Sequence, residues 1–304
     1  YELLDKNFPT VNPAAPYAFT EQEEEIIRRL ERAFLNGEKL QQHMKFLLAK
    51  GSLYKVYNGN LLYHGCVPLN ADGTLKEVEI YGKKYKGKAL YEVLDSYVRK
   101  SFVAVNAEEK RRGKDLMWYI WLHENSPLFG KAKMATFERY FLADKETHQE
   151  GKNPYYRLLE KEEVTDRILE EFGLPAEGSH IINGHVPVKT KNGESPVKCG
   201  GKVLIIDGGF SKAYQRETGI AGYTLIYNSY GLILAAHEPF ESTEAAIQKG
   251  SDIHSESIVV KRVSQRKLVG DTDIGKDIKE KIGDLEQLLE AYRSGVLVER
   301  FHSV

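Results

Sequence analysis

The chain has little cysteine. Only Cys66 and Cys199 occur in 304 residues, too few for a disulfide scaffold and too far apart for a Cys-x-x-Cys metal knuckle. That usage suits a reducing compartment, and the expected location is the cytoplasm. No run approaches the ~18 apolar residues needed to cross a bilayer. The opening Tyr1-Glu2-Leu3-Leu4-Asp5 has no basic stretch followed by an apolar one, so no secretory signal is read there. Charge of one sign is missing too: 43 basic and 44 acidic residues leave a net charge of −1. That balance gives no overall attraction to nucleic acid or an anionic membrane. No His-Glu-x-x-His, no Gly-x-Ser-x-Gly elbow, no Walker-type phosphate loop and no Gly-x-Gly-x-x-Gly after a strand are present. Internal repeats and low-complexity tracts are likewise absent.

With 41% hydrophobic and 29% charged residues, the composition is that of a soluble globular protein. The length allows one large domain or two ordinary ones. Tyr1 opens in mid-pattern, which predicts a piece of a longer protein.

Residues 1–19 carry three prolines and read as an extended lead-in. Thr20 and Glu23 form a capping-box pattern. Ile26, Ile27, Leu30, Ala33 and Phe34 follow at helical spacing. A second helix runs through Leu40, Met44, Leu47 and Leu48 to Gly51. Residues 52–57 and 61–66 flank Asn58-Gly59-Asn60, a hairpin signal. Residues 84–178 read as a mainly helical insertion, with helices marked by Leu90/Leu94, by Met117-Trp118/Ile120-Trp121-Leu122 and by Val164/Ile168/Leu169. Strands are expected at 181–188, 203–207, 222–227, 232–236 and 258–263, with a turn at Asn228-Ser229-Tyr230-Gly231. A short helix begins near Ser242, and Ile278, Ile282, Leu285 and Leu289 mark a final amphipathic helix.

Two histidines stand out. Asn60-Leu61-Leu62-Tyr63-His64-Gly65-Cys66-Val67-Pro68 and His180-Ile181-Ile182-Asn183-Gly184-His185-Val186-Pro187 each end an apolar run in a histidine beside a glycine, with a proline soon after. Glycine lets the backbone turn and proline ends the ladder. An imidazole held there faces the rim of a sheet, where open α/β sheets bind ligands. It suits a divalent transition metal, and equally it serves as a polar cap on a carbonyl. Asp207, in Ile205-Ile206-Asp207-Gly208-Gly209, is the best remaining strand-end carboxylate, though an Asp before Gly-Gly is commonly a turn residue. Arg111, Arg112, Lys114, Lys131 and Lys189 are candidates for phosphate contact. The alternative for the first three is a solvated basic helix face balanced by Glu108 and Glu109. His43, His123, His148, His180, His237, His254 and His302 share no spacing.

The segments 60–68, 118–141 (with Ser126-Pro127-Leu128-Phe129-Gly130-Lys131), 183–189 and Asp271-Thr272-Asp273-Ile274-Gly275 resemble the bacterial class III fructose-1,6-bisphosphatases, of the calcineurin-like metallophosphatase superfamily. The resemblance implies an α/β (α+β) metallophosphatase-type two-sheet sandwich with flanking helices. It implies hydrolysis of the 1-phosphate of fructose 1,6-bisphosphate in gluconeogenesis by a metal-activated hydroxide at a dinuclear centre, with Mn²⁺ the usual ion. His64 and His185 are its implied metal ligands. The upstream Asp-x-His, Gly-Asp-x-x-Asp and Gly-Asn-His motifs of that superfamily do not precede His64, so the chain is expected to be a C-terminal portion, inactive alone. It is expected to oligomerise or to pair with an N-terminal half. The other readings are a non-catalytic assembly or binding module and a phosphatase of another phosphate ester.

Overall fold

The computed structural model describes residues 1–207, 209–250, 255–263 and 265–298. Gly208, His254 and His302 lie outside them. The fold is mixed α/β, and the chain divides into two compact units: Tyr1–Lys55 with Tyr63–Phe172, and Val56–Leu62 with Gly173–Val304. Two short strands, β1 (Tyr54–Tyr57) and β2 (Asn60–Tyr63), lie where the chain passes from one to the other.

The first unit opens with α1 (Glu21–Asn36) and α2 (Glu38–Lys50). The capping box forms as its residues predict. The Thr20 Oγ1 accepts from the Glu23 amide at 3.3 Å, and the Glu23 carboxylate accepts from the Thr20 amide at 2.8 Å. The apolar stripe of α1 is nonetheless exposed, Ile26, Leu30 and Phe34 included. A helix whose apolar face meets water has left its packing partner unmet. Next come the hairpin of β3 (Val78–Ile80) and β4 (Lys83–Tyr85), then α3 (Gly87–Val103) and α4 (Ala107–Leu122). Leu90, Leu94, Leu116 and Ile120 pack with Val78 and Ile80 into one core. Gly113 lets α3 and α4 approach, for a Cβ there would lie 1.7 Å from the Ser101 Cβ. The apolar run at the end of α4 is divided by helical periodicity. Leu116 and Ile120, one turn apart, face inward, while Trp118 and Trp121 are 68% and 66% exposed. Beyond them lie α5 (Thr136–Phe141), α6 (Tyr155–Leu158) and α7 (Glu162–Glu171). The N-terminal lead-in is tied down by backbone bonds from Leu4 to Phe141 and from Ala143 to Glu2.

The second unit is built on a five-stranded sheet, ordered β1-β2-β5-β7-β6, with β5 (His180–Asn183), β6 (Val197–Lys198) and β7 (Val203–Ile205). β2, β5 and β7 run parallel, pairing Leu61 with Ile181 and Ile181 with Val203. After the short α8 (Lys212–Thr218), β8 (Gly222–Asn228), β9 (Gly231–His237) and β10 (Ser255–Arg262) form an antiparallel sheet, with α9 (Thr243–Lys249) before β10. Ile182 and Leu204 of the first sheet pack with Leu232 and Leu225 of the second. The final helix, α10 (Asp273–Arg293), begins on the Thr272 side chain, whose Oγ1 accepts from the Gly275 amide at 3.1 Å. Its start is fastened to the β1–β2 turn by reciprocal bonds. The Asn58 amide donates to the Asp273 carboxylate at 2.7 Å, and the Asp273 amide donates to the Asn58 Oδ1 at 2.9 Å. Along α10, Ile278, Ile282, Leu285 and Leu289 remain exposed.

Several expected boundaries shift, the strand expected over 61–66 stopping at Tyr63. The strand expected over 181–188 stops at Asn183, because Gly184 and His185 turn away and Pro187 has no amide to donate. The strand expected over 203–207 stops at Ile205.

Candidate functional site

His64 belongs to the first unit and His185 to the second. Each is described within its own unit.

His64 directly follows the last residue of β2 and is exposed. The residues on either side of it are buried and fixed. The Tyr63 hydroxyl lies 2.6 Å from that of Tyr155, and its ring packs edge-on against Tyr91 and Tyr155. On the other side, the Cys66 amide donates to the Pro127 carbonyl at 2.9 Å. Gly65 passes so close to that loop that a Cβ would sit 2.5 Å from the Pro127 oxygen. Two segments singled out in the sequence, around His64 and around Ser126-Pro127-Leu128, therefore meet, and the loop clamps the turn that carries the imidazole. Burial pushes the Cys66 thiol up to about 12, against the opposing effect of the Tyr156 hydroxyl. Cys66 stays protonated at neutral pH, and its role here is packing.

His185 sits on the rim of the five-stranded sheet with φ 68°. A left-handed backbone on a residue other than glycine costs energy and is concentrated at functional positions. The surrounding ladder holds it there. The Ile206 amide donates to the Asn183 carbonyl at 2.9 Å, and the Val188 amide donates to the Asp207 carbonyl at 2.9 Å. The loop bearing His185 is thus bonded at both ends to the segment bearing Asp207. The Asp207 carboxylate accepts from the Gly209 amide at 3.0 Å, which is the turn role its Gly-Gly context suggested. Lys189 is exposed, its amide donating to Glu194 at 2.9 Å.

Among the described residues, no three His, Cys, Asp or Glu side chains cluster as a metal ion requires. The described residues alone therefore do not fit a closed metal centre.

The basic candidates are divided. Arg111 and Lys114 are exposed on α4. Arg112 pairs with Glu108 at 2.5 Å and lies over the Tyr81 ring, 5.2 Å from its centre. Lys131 pairs with Glu150 at 3.2 Å. Arg112 and Lys131 thus already hold carboxylate partners. Several other histidines have structural work. His123 stacks on Tyr119, with ring centres 4.5 Å apart, and its Nδ1 accepts from the Asn125 amide. His148 bonds the Leu142 carbonyl, and His237 bonds Thr224 and Ser255.

His180 is buried and bonds the Gly201 carbonyl at 2.9 Å. Burial lowers its pKa below the ordinary 6.5; the carbonyl opposes this, and Lys261 and Lys267 add to it. A lowered folded-state pKa means that the unfolded chain binds more protons just below about pH 6.5. The neutral ring's contribution is therefore complete above that pH and lost as the pH falls through the folded-state value. Urea midpoints are expected to drop less between about pH 8 and about pH 5 in His180→Gln than in the wild type. Equal drops would contradict this account.

Among the described residues, no helix is long and apolar enough to cross a membrane. No solved structure matches the chain. The chain is 56% identical over 301 residues to the fructose-1,6-bisphosphatase class 3 of Clostridium novyi (strain NT), covering 99% of this chain and 45% of that protein. It is 57% identical over 300 residues to proteins of the same name from Clostridium botulinum strains Langeland and Okra, covering 98% of this chain and 45% of each relative. The chain thus spans under half the length of these relatives. A model of the Firmicute fructose-1,6-bisphosphatase family matches residues 1–294, and the chain belongs to that family.

Proposed function

We propose that the whole protein is a fructose-1,6-bisphosphatase, releasing the 1-phosphate of fructose 1,6-bisphosphate to give fructose 6-phosphate for gluconeogenesis. The identity to the class 3 enzymes across nearly all of this chain carries the reading. The geometry supports it: His64 and His185 stand at sheet rims, one clamped by a loop and the other held in a left-handed turn. We read both as ligands of a divalent metal, Mn²⁺ by preference, since imidazole suits it. The remaining ligands then come from the part of the relatives that this chain does not cover. Arg111, Lys114 and Lys189 remain candidates for phosphate contact, and Arg112 and Lys131 would have to exchange their carboxylate partners to join them. Residues 84–178 are read as a helical insertion of the same domain.

The test is phosphate release by the full-length protein with Mn²⁺, using fructose 1,6-bisphosphate beside a nucleotide and a phosphopeptide. Preference for the sugar bisphosphate is the expected result. Preference for another ester moves the assignment to that ester, and no release from any of them favours the binding module.

The exposed apolar faces of α1 and of α10 are read as surfaces that the rest of the protein, or a second copy, covers. The 304-residue chain alone is expected to associate in sedimentation velocity. A sharp monomer boundary across concentrations would overturn this.

A further inference from the structure

α10 has 21 residues and is fixed only at its start. The Asn58–Asp273 bonds hold its first turn. Gly275 lies so close to Val269 that a Cβ would sit 1.8 Å from the carbonyl oxygen. Among the described residues of the helix, Gly275 alone is buried. Helices draw most of their stability from packing an apolar face, and Gly283 in the interior of this one weakens it further.

The face left open has a particular order. Ile278, Ile282, Leu285, Leu289 and Tyr292 follow one another at spacings of four, three, four and three. Each is 45–63% exposed. This is the spacing of a coiled-coil seam, with Ile282 and Leu289 at position a and Ile278, Leu285 and Tyr292 at position d of the heptad. Isoleucine at a beside leucine at d favours two strands.

The flanking charges select the partner and its direction. In a parallel pair, position g of one helix faces position e of the other, five residues further on. Here those positions are Lys281 and Glu286, of opposite sign. Both are exposed, and among the described residues neither is held in an ion pair. In a pair of identical helices two-fold symmetry makes the contact twice. An antiparallel pair would need Lys279 opposite Glu286, but Lys279 already donates to the Gly270 carbonyl at 2.9 Å. A second copy of α10 therefore brings both the matching seam and the matching charges.

We propose that α10 pairs with α10 of a second copy as a parallel two-stranded coiled coil, with Lys281 of each helix against Glu286 of the partner subunit.

The experiment is sedimentation equilibrium of the full-length protein. The wild type is expected to dimerise. Leu285→Asp, which puts a charge into the seam from both copies, is expected to weaken the dimer at least about a hundredfold. Lys281→Glu and Glu286→Lys each set like charges opposite one another and are expected to weaken it about tenfold. An equimolar mixture of those two variants is expected to return close to wild-type affinity, because a mixed pair restores both attractions. Glu280→Lys, on the outward side of the heptad, is expected to dimerise as the wild type does. All four side chains are exposed, so none of the changes touches a core. A wild type that stays monomeric overturns the proposal and assigns the face to another segment of the protein. A dimer untouched by Leu285→Asp, or a mixture no tighter than its components, overturns it as well. Pairing through α10 in a protein that releases no phosphate would leave this proposal standing while the phosphatase reading fell.

Discussion

His185→Ala in the full-length protein is expected to lower manganese-dependent phosphate release from fructose 1,6-bisphosphate by about a thousandfold, and His64→Ala by a comparable factor. A metal ion contributes several kcal/mol of transition-state stabilisation, and each ~1.4 kcal/mol is tenfold in rate. The folded state is expected to change little. His64 is exposed, and its neighbours Tyr63, Gly65 and Cys66 are held by contacts of their own. His185 already holds a left-handed backbone, so alanine there adds only a modest strain. Steady-state rates, metal content per chain and thermal melting together check the prediction. Activity within tenfold of wild type, or full metal content in both variants, would remove the histidines from the metal site.

Gly65→Ala should be the most damaging single-atom addition near His64. The new Cβ would lie 2.5 Å from the Pro127 carbonyl oxygen and 3.0 Å from that of Leu128. Both are backbone atoms, so no side chain can swing aside. Either the 126–130 loop retreats or the turn after β2 does, and both movements stretch the bond from the Cys66 amide to Pro127. Overpacking of this kind costs about 1–3 kcal/mol and a lost buried hydrogen bond about 1 more. A loss near 3 kcal/mol is expected from urea unfolding, with His64 displaced and activity reduced. Unchanged stability would show that the loop is not a rigid clamp.

Much of the architecture could be read from the sequence because local chemistry agrees with the fold. Thr20 and Glu23 cap α1, Asn228–Gly231 turns β8 into β9, and Leu90 and Leu94 lie inward as their spacing requires. The misreadings have physical causes. The apolar residues that marked the end of α4 do not share one face, because an α-helix sorts residues by angle: Leu116 and Ile120 are buried while Trp118 and Trp121 are exposed. The β3–β4 hairpin went unread, although Tyr81-Gly82 between alternating residues was its signal, both positions taking positive φ. The strand-end histidines were legible as a pattern. Their fixing was not: the Pro127 clamp and the Asn183–Ile206 and Val188–Asp207 bonds join segments distant in sequence.

The Asn58–Asp273 clasp spans 215 residues. During synthesis at roughly 5–20 residues per second, the turn that Asp273 fastens waits about ten to forty seconds for its partner to leave the ribosome. For the first half or so of that interval the apolar strand Asn60-Leu61-Leu62-Tyr63 also has an edge that its parallel neighbour β5 cannot yet cover. The nascent chain is therefore at its most vulnerable to aggregation before β5 emerges, and chaperone demand should fall once it does, with the turn itself fastened only later by Asp273.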